Sequence, residues 1–205
     1  GIEILDGIGS TEMIHIFISS REAALKLGST RLPVPGSEAM VVDESMNPVP
    51  HGTTGQLAVR GPTGCTYLDD PRQQKYVRNG WNLTGDAYQM DEEGFFWFQA
   101  RSDDMIISSG YNIAGPEVEA ALMAHPSVSE CAVVGIPAED RGSLVKAFVV
   151  LRDGTEENEA IKQTLQDFVK KTIAPYKYPR RIEFRISLPK TETGKIQRFR
   201  LREEG

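Results

Sequence analysis

The stretch Arg101-Ser-Asp-Asp-Met-Ile-Ile-Ser-Ser-Gly110-Tyr-Asn-Ile-Ala-Gly-Pro-Glu-Val-Glu119 decides how this chain divides. It follows an aromatic run, Phe95-Phe-Trp-Phe98, that reads as a strand. An arginine and two aspartates come next, then a short β-branched run and a loop holding Gly110 and Gly115. Pro116 with Glu117 and Glu119 beside it suits a helix N-terminus. The pattern is a junction between two structural units. Taken alone, the stretch reads as a linker with turn residues.

Upstream, Ile2–Asp6, Ile14–Ile18, Gly36–Asp43, Gly55–Arg60 and Phe95–Gln99 read as strands, with a short helix at Pro71–Val77. Turn signals such as Asn47-Pro48 and Asp91-Glu-Glu-Gly94 separate them. Short strands with turns between them predict a small β-barrel or sandwich up to about residue 100. Downstream, strands are expected at Met105–Ser108, Ser129–Gly135, Leu144–Leu151 and Arg181–Ile186. Helices are expected at Pro116–Ala124 and Glu157–Ile173, with a last one beginning within Lys195–Arg202. In the second helix Ile161, Leu165, Phe168, Val169 and Thr172 share one face. The fold class is therefore α+β: a barrel-like β subdomain, 1–102, then a compact α+β domain, 103–205.

Composition limits the function classes. The 205 residues are 40% hydrophobic and 25% charged, an ordinary globular balance. No apolar run reaches the roughly 20 residues that span a bilayer. The chain starts abruptly at a glycine followed by Ile-Glu-Ile-Leu, so a missing upstream part is expected. Cys65 and Cys131 are isolated, which fits free thiols in a reducing cytoplasm. His15, His51 and His125 lack metal-ligand spacing. Residues 170–202 hold eleven basic side chains against only Glu183 and Glu192. Such a run favours a polyanionic partner, a solvated face, or docking on the acidic first half. Aromatics are not interleaved with it as nucleic-acid stacking platforms would be, so no nucleic acid is expected.

Four polar motifs carry chemistry. Gly7-Ile-Gly-Ser-Thr-Glu12 places glycines, hydroxyls and a carboxylate in one strand-to-loop turn. Glycines let a backbone approach a ligand, hydroxyls and N–H groups hold phosphate, and a carboxylate beside phosphate suits Mg²⁺. The same residues would also serve a capped turn. Asp86, in Thr84-Gly-Asp86, and Arg101 read singly as a turn acid and a surface ion-pair partner. Lys195, after Thr193-Gly194, reads singly as an exposed lysine in a turn.

Taken together and in order, Gly7–Glu12, Thr84–Asp86, Arg101–Asp104 with Gly110, and Pro189-Lys-Thr-Glu-Thr-Gly-Lys195 resemble the C-terminal part of the adenylate-forming enzymes. That superfamily holds the acyl-CoA synthetases, firefly luciferase and peptide-synthetase adenylation domains. The resemblance covers essentially the whole chain. It is greatest to benzoate and 2-aminobenzoate CoA ligases and medium-chain acyl-CoA synthetases, through Asp6–Ile16 and Tyr111-Asn-Ile-Ala-Gly-Pro116.

The resemblance implies roles. Gly7, Ile8, Gly9, Ser10 and Thr11 would bind the nucleotide ATP or AMP, with Thr11 at the α-phosphate and Glu12 on the magnesium. Asp86 and Arg101 would hold the ribose, and Asp103 would be the hinge. Ser109, Gly110 and Tyr111 would line the coenzyme A channel. Lys195 would be the catalytic lysine of adenylation, together with Thr11 and Glu12. Gly9, His15 and Ile16 would approach the acyl pocket, although the last two also read as strand core. Ile8 stands where many members carry an aromatic ring, Ala100 where glycine is usual, and Ile107 where lysine is frequent.

The implied activity is ATP-dependent ligation of a small aromatic carboxylate to coenzyme A, with the 205 residues inactive by themselves. A medium-chain acyl-CoA synthetase, a peptide-synthetase-type adenylation domain and a nucleotide- or CoA-binding remnant remain alternatives.

Overall fold

The computed structural model describes residues 5–19 and 26–204. The chain forms two compact units, Gly1–Asp103 and Asp104–Gly205. Of the expected first strand, residues 2–4 lie outside the described residues, and Leu5 and Asp6 are not in a strand.

The first unit is built on two antiparallel sheets. In the smaller, β1 (Gly7–Gly9) pairs with β2 (Ile16–Ser19), and β2 with β3 (Leu32–Pro33). The larger runs β4 (Glu38–Val42), β5 (Gly55–Arg60), β7 (Trp81–Met90) and β6 (Val77–Arg78), with β8 (Phe96–Arg101) also on β7. A bridge between Arg31 and Phe96 links the two sheets. Neither sheet closes on itself, so the β half is an open assembly rather than a barrel. One helical turn, α1 (Arg72–Tyr76), precedes β6. Phe17, Ile18, Val41, Leu57, Val59, Tyr88 and Phe96 make the main core. Val42, Ala58 and Leu83 form a second cluster, as period-2 alternation requires of a sheet covered on both faces.

Two expectations change here. Ile14 is not in the strand: it has φ 64° and is exposed, and β2 begins at Ile16. Asp86 is not in a polar loop but inside the ten-residue β7.

The second unit holds one mixed sheet. β9 (Met105–Ser108) and β10 (Tyr111–Ala114) form a hairpin, so most of the expected loop at 109–115 is a strand. The long hairpin of β11 (Val128–Ala138) and β12 (Gly142–Leu151) is the spine. β13 (Arg181–Phe184) runs parallel to β12. Helices α2 (Gly115–Met123) and α3 (Glu159–Thr172) cover one face through Val118, Leu122, Leu165 and Val169. Leu188 and Leu201, the latter from α4 (Arg198–Glu203), cover the other against Val134 and Phe148. Burial on both faces explains the unbroken apolar runs in β11 and β12. Each fully buried Leu contributes about 1.5–3 kcal/mol.

Six of the eleven basic side chains at 170–202 are paired within this unit. Lys170 pairs with Asp167, Lys177 with Glu117, Arg185 with Glu183 and Glu204, Lys190 with Glu130, Arg198 with Glu119, and Arg202 with Asp104. Both cysteines are free, and burial pushes the Cys131 thiol up to about 12. No helix among the described residues is long and apolar enough to cross a membrane.

Candidate functional site

Two groups of expected site residues come together in the first unit. One is the turn between β1 and β2. Ser10 Oγ accepts from the Met13 N–H at 3.2 Å, and Met13 is buried in the core, so the turn carrying Thr11 and Glu12 is anchored from below. Thr63 donates its hydroxyl to the Met13 carbonyl. Thr11 is exposed and Glu12 half-buried. Gly9 answers first to β2: a Cβ there would lie 2.7 Å from the His15 carbonyl oxygen. Gly9, Ser10, Thr11, Ile14, His15 and Ile16 line an open concavity of about 780 Å³. His15 and Ile16 are exposed, so they do not belong to the strand core.

The Glu12 carboxylate is held by a residue that none of the sequence motifs contains. Tyr67 donates its hydroxyl to Glu12 Oε1 at 2.8 Å. That bond holds the Glu12 carboxyl below its usual range, assisted by the Glu12 backbone N–H, Ser10 and the charge of Arg101, against a smaller effect of burial. The same bond pushes the phenol up to about 12. Glu12 is thus an anion fixed by a neutral donor.

The second group is Asp86 and Arg101. They are register partners on β7 and β8, and Arg101 Nη1 donates to Asp86 Oδ1 at 2.9 Å. Asp86 is buried, at 7% exposure, whereas the arginine side chain is half exposed. Gly85 makes room for the guanidinium: its φ is +76°, and a Cβ there would stand 2.7 Å from Arg101 Nη2. Arg101 also lines a cavity of about 280 Å³ with Gln56, Lys75, Tyr76 and Arg78. Its charge is the smallest of the influences that lower the Glu12 carboxyl.

Asp103 lies in the single helical turn Ser102–Asp104, 3.9 Å from Arg101 Nε, at the division between the units.

The remaining candidates lie on the second unit. Ser109 and Gly110, with φ of +50° and +80°, form the two-residue tip of the β9–β10 hairpin. Positive φ at both positions is the geometry of a type I′ turn. No atom lies within 4 Å of where a Gly110 Cβ would stand. Beside it the half-exposed Tyr111 stacks on Tyr176, with centroids 4.3 Å apart.

Lys195 is exposed and has no ion pair among the described residues. Its turn is closed rather than loose. Gly194 N–H donates to the Thr191 carbonyl at 2.9 Å, Thr191 N–H to the Lys195 carbonyl at 2.8 Å, and Lys195 N–H to Thr191 Oγ1 at 3.1 Å. Just beyond, Arg198 donates through Nε and Nη2 to Glu119, at 2.7 Å in the shortest contact. Glu119 Oε1 also accepts the Val133 N–H at 2.8 Å. Arg202 pairs with Asp104. Two arginines four residues apart thus fasten the helix that follows Lys195.

The chain is similar to known proteins. Residues 1–66 match the AMP-binding enzyme family and residues 117–195 the AMP-binding enzyme C-terminal domain. The chain is 45% identical over 205 residues to a benzoate–CoA ligase of Thauera aromatica, covering 98% of this chain and 39% of that protein. It is 45% identical over 206 residues to an acyl–CoA ligase of Bacillus subtilis, with the same coverage. The structure of an anthranilate CoA ligase in complex with anthranoyl-AMP superposes with a TM-score of 0.84 at 41% identity, over 99% of this chain and 40% of that one. The chain thus spans about two fifths of the length of these relatives.

Proposed function

The chain belongs to the AMP-binding, adenylate-forming enzymes, and from that membership we propose that its full-length protein is an ATP-dependent acid–CoA ligase acting on a small aromatic carboxylate of the benzoate or 2-aminobenzoate kind. The observation that carries this reading is the buried Asp86 carboxylate held by Arg101 across β7 and β8, in a chain 45% identical to a benzoate–CoA ligase.

In the first half-reaction a carboxylate oxygen attacks the α-phosphorus of ATP and pyrophosphate leaves, giving acyl-AMP. In the second the coenzyme A thiol, losing its proton, attacks the acyl carbon and AMP leaves. Asp86 is suited to accept from ribose hydroxyls, with Arg101 fixing its carboxylate. Gly7, Ile8 and Gly9 would border the base, and the Ser10 and Thr11 hydroxyls would meet the α-phosphate. Lys195, an unpaired ammonium on a fixed turn, would offset charge building on that phosphate. Ser109, Gly110 and Tyr111 are the proposed border of the pantetheine path, and Asp103 the proposed pivot.

Mg²⁺ commonly uses one or two carboxylates and takes its other ligands from phosphate and water. Glu12, held ionised and beside hydroxyls, fits that donor set, and no group of three metal-binding side chains occurs among the described residues. Bound there, the ion would supply positive charge to the phosphates. The exposed Ile14 and Ile16 on the concavity beside Gly9 fit an apolar acid. Since residues 1–205 span two fifths of the relatives' length, they are proposed not to complete adenylation alone.

The experiment is a screen of the full-length protein with ATP, Mg²⁺ and coenzyme A against benzoate, 2-aminobenzoate and medium-chain acids. Pyrophosphate and thioester should both appear fastest with the aromatic acids. Preference for a medium-chain acid overturns the acid class. Pyrophosphate without thioester overturns the ligase assignment in favour of a carrier-protein acceptor, and no pyrophosphate from any acid overturns the whole reading.

A further inference from the structure

We propose that Tyr67 is a positioning residue for the Glu12 carboxylate and that α1 is the platform that holds Tyr67 in place. This rests on the reading of Glu12 as the magnesium ligand. The phenol lies 55 residues from Glu12 in the chain, and the hydroxyl-to-carboxylate bond is 2.8 Å.

The platform is built from α1. The Tyr67 backbone N–H donates to Gln73 Oε1 at 2.8 Å. The Arg72 guanidinium lies 4.7 Å from the Tyr67 ring centroid, and the Tyr76 ring 5.8 Å away. Arg72 is itself fixed by Asp70, whose Oδ2 accepts from Nε at 2.8 Å and from Nη2 at 2.6 Å. A helix of five residues is too short to persist by itself, and α1 buries none of its residues. Arg72, Gln73 and Tyr76 are three of those five, and all three turn onto Tyr67.

The chemistry of the donor matters. An arginine or lysine on Glu12 would orient the carboxylate but cancel its charge. A phenol orients it and leaves the charge available to a divalent cation. Such outer partners hold a metal ligand in the geometry of the bound state, and losing one typically costs about 10–100-fold in metal affinity.

The test uses the full-length protein, with Mg²⁺ titrated by calorimetry at fixed α,β-methylene ATP. Tyr67→Phe keeps the ring contacts and removes only the hydroxyl. It should raise the apparent Mg²⁺ constant by about tenfold or more while leaving metal-free nucleotide affinity unchanged. Glu12→Gln should raise it further, and adding Tyr67→Phe to Glu12→Gln should change nothing more. Equal weakening with and without Mg²⁺ would mean Tyr67 only packs the loop, and the proposal would be overturned. It is also overturned, alone, if Glu12→Gln weakens Mg²⁺ and Tyr67→Phe does not. If Glu12→Gln leaves Mg²⁺ unaffected, the reading of Glu12 itself fails. Gln73→Leu, which frees the Tyr67 backbone and spares the hydroxyl, is the second variant should Tyr67→Phe not fold. It should shift the Mg²⁺ constant in the same direction, and no shift there overturns the platform.

Discussion

Asp86 and Arg101 are 15 residues apart in the chain and opposite each other on β7 and β8, joined at 2.9 Å through the space that Gly85 leaves open. Gly85→Ala should therefore damage two things at once. A side chain at φ +76° costs about 1–2 kcal/mol, and its Cβ would displace the guanidinium. The melting temperature should fall and AMP should bind more weakly by calorimetry. A Gly85→Ala protein with the parent's AMP affinity would show that Arg101 does not need this space.

Lys195→Ala should separate the half-reactions. In the full-length protein, pyrophosphate release should fall by about 10²–10³-fold, the usual loss for one group that stabilises transition-state charge. Thioester formation from preformed aryl-AMP should be largely kept. Equal loss in both assays would contradict the assignment of Lys195 to adenylation.

Arg198→Met should lower stability. It removes the fork onto Glu119, a charge-assisted bond of the kind that contributes about 1.5–3 kcal/mol. Glu119 would keep its bond from the Val133 N–H. Chemical denaturation should register the loss, and adenylation should weaken with it because α4 follows directly on the Lys195 turn. An Arg198→Met protein as stable as its parent would show that the fork contributes little.

At Gly110 backbone and channel can be told apart. Asparagine tolerates left-handed φ far better than leucine does. Gly110→Asn should therefore keep the hairpin while filling the open space beside it. Pyrophosphate release should continue and aryl-CoA yield should drop. Full aryl-CoA yield from this variant would remove the hairpin tip from the pantetheine path.

Asp91 gives the first unit an acid limit. Burial alone would raise its carboxyl, but Lys26, the Trp97 indole N–H and the Phe95 N–H outweigh burial and hold it at about 2. Because the folded value lies below the ordinary 3.8, the contribution is present above pH 3.8 and is lost as pH falls towards 2. The melting-temperature gap between parent and Asp91→Asn should be widest near pH 5 and should close in that acid window. A gap unchanged from pH 5 to pH 2.5 would rule this origin out.

Much of the second unit was legible because its signals are local. Leu165 and Val169 on α3 sit one helical turn apart, and Ala132 to Val134 and Ala147 to Val149 are runs that only a doubly covered sheet accepts. β7 was hidden because Asn82, Thr84 and Asp86 carry polar groups on a half-buried strand and Gly85 breaks its alternation. Tyr67 was hidden for a different reason. It meets Glu12 across 55 residues, as Arg198 meets Glu119 across 79 and Arg202 meets Asp104 across 98. Such pairs exist only once the sheets have formed, and no spacing rule finds them.

The tight fit at Gly85 also constrains the lineage of this protein. While Arg101 keeps its place, nearly every change at position 85 collides with it, and while position 85 stays bare, a shorter side chain at 101 leaves Asp86 without its partner. The two codons are held together by geometry, so a path to a different ion pair at this place passes through an intermediate handicapped in one way or the other. Selection would be expected to keep the glycine and the arginine as a couple, exchanged jointly or not at all.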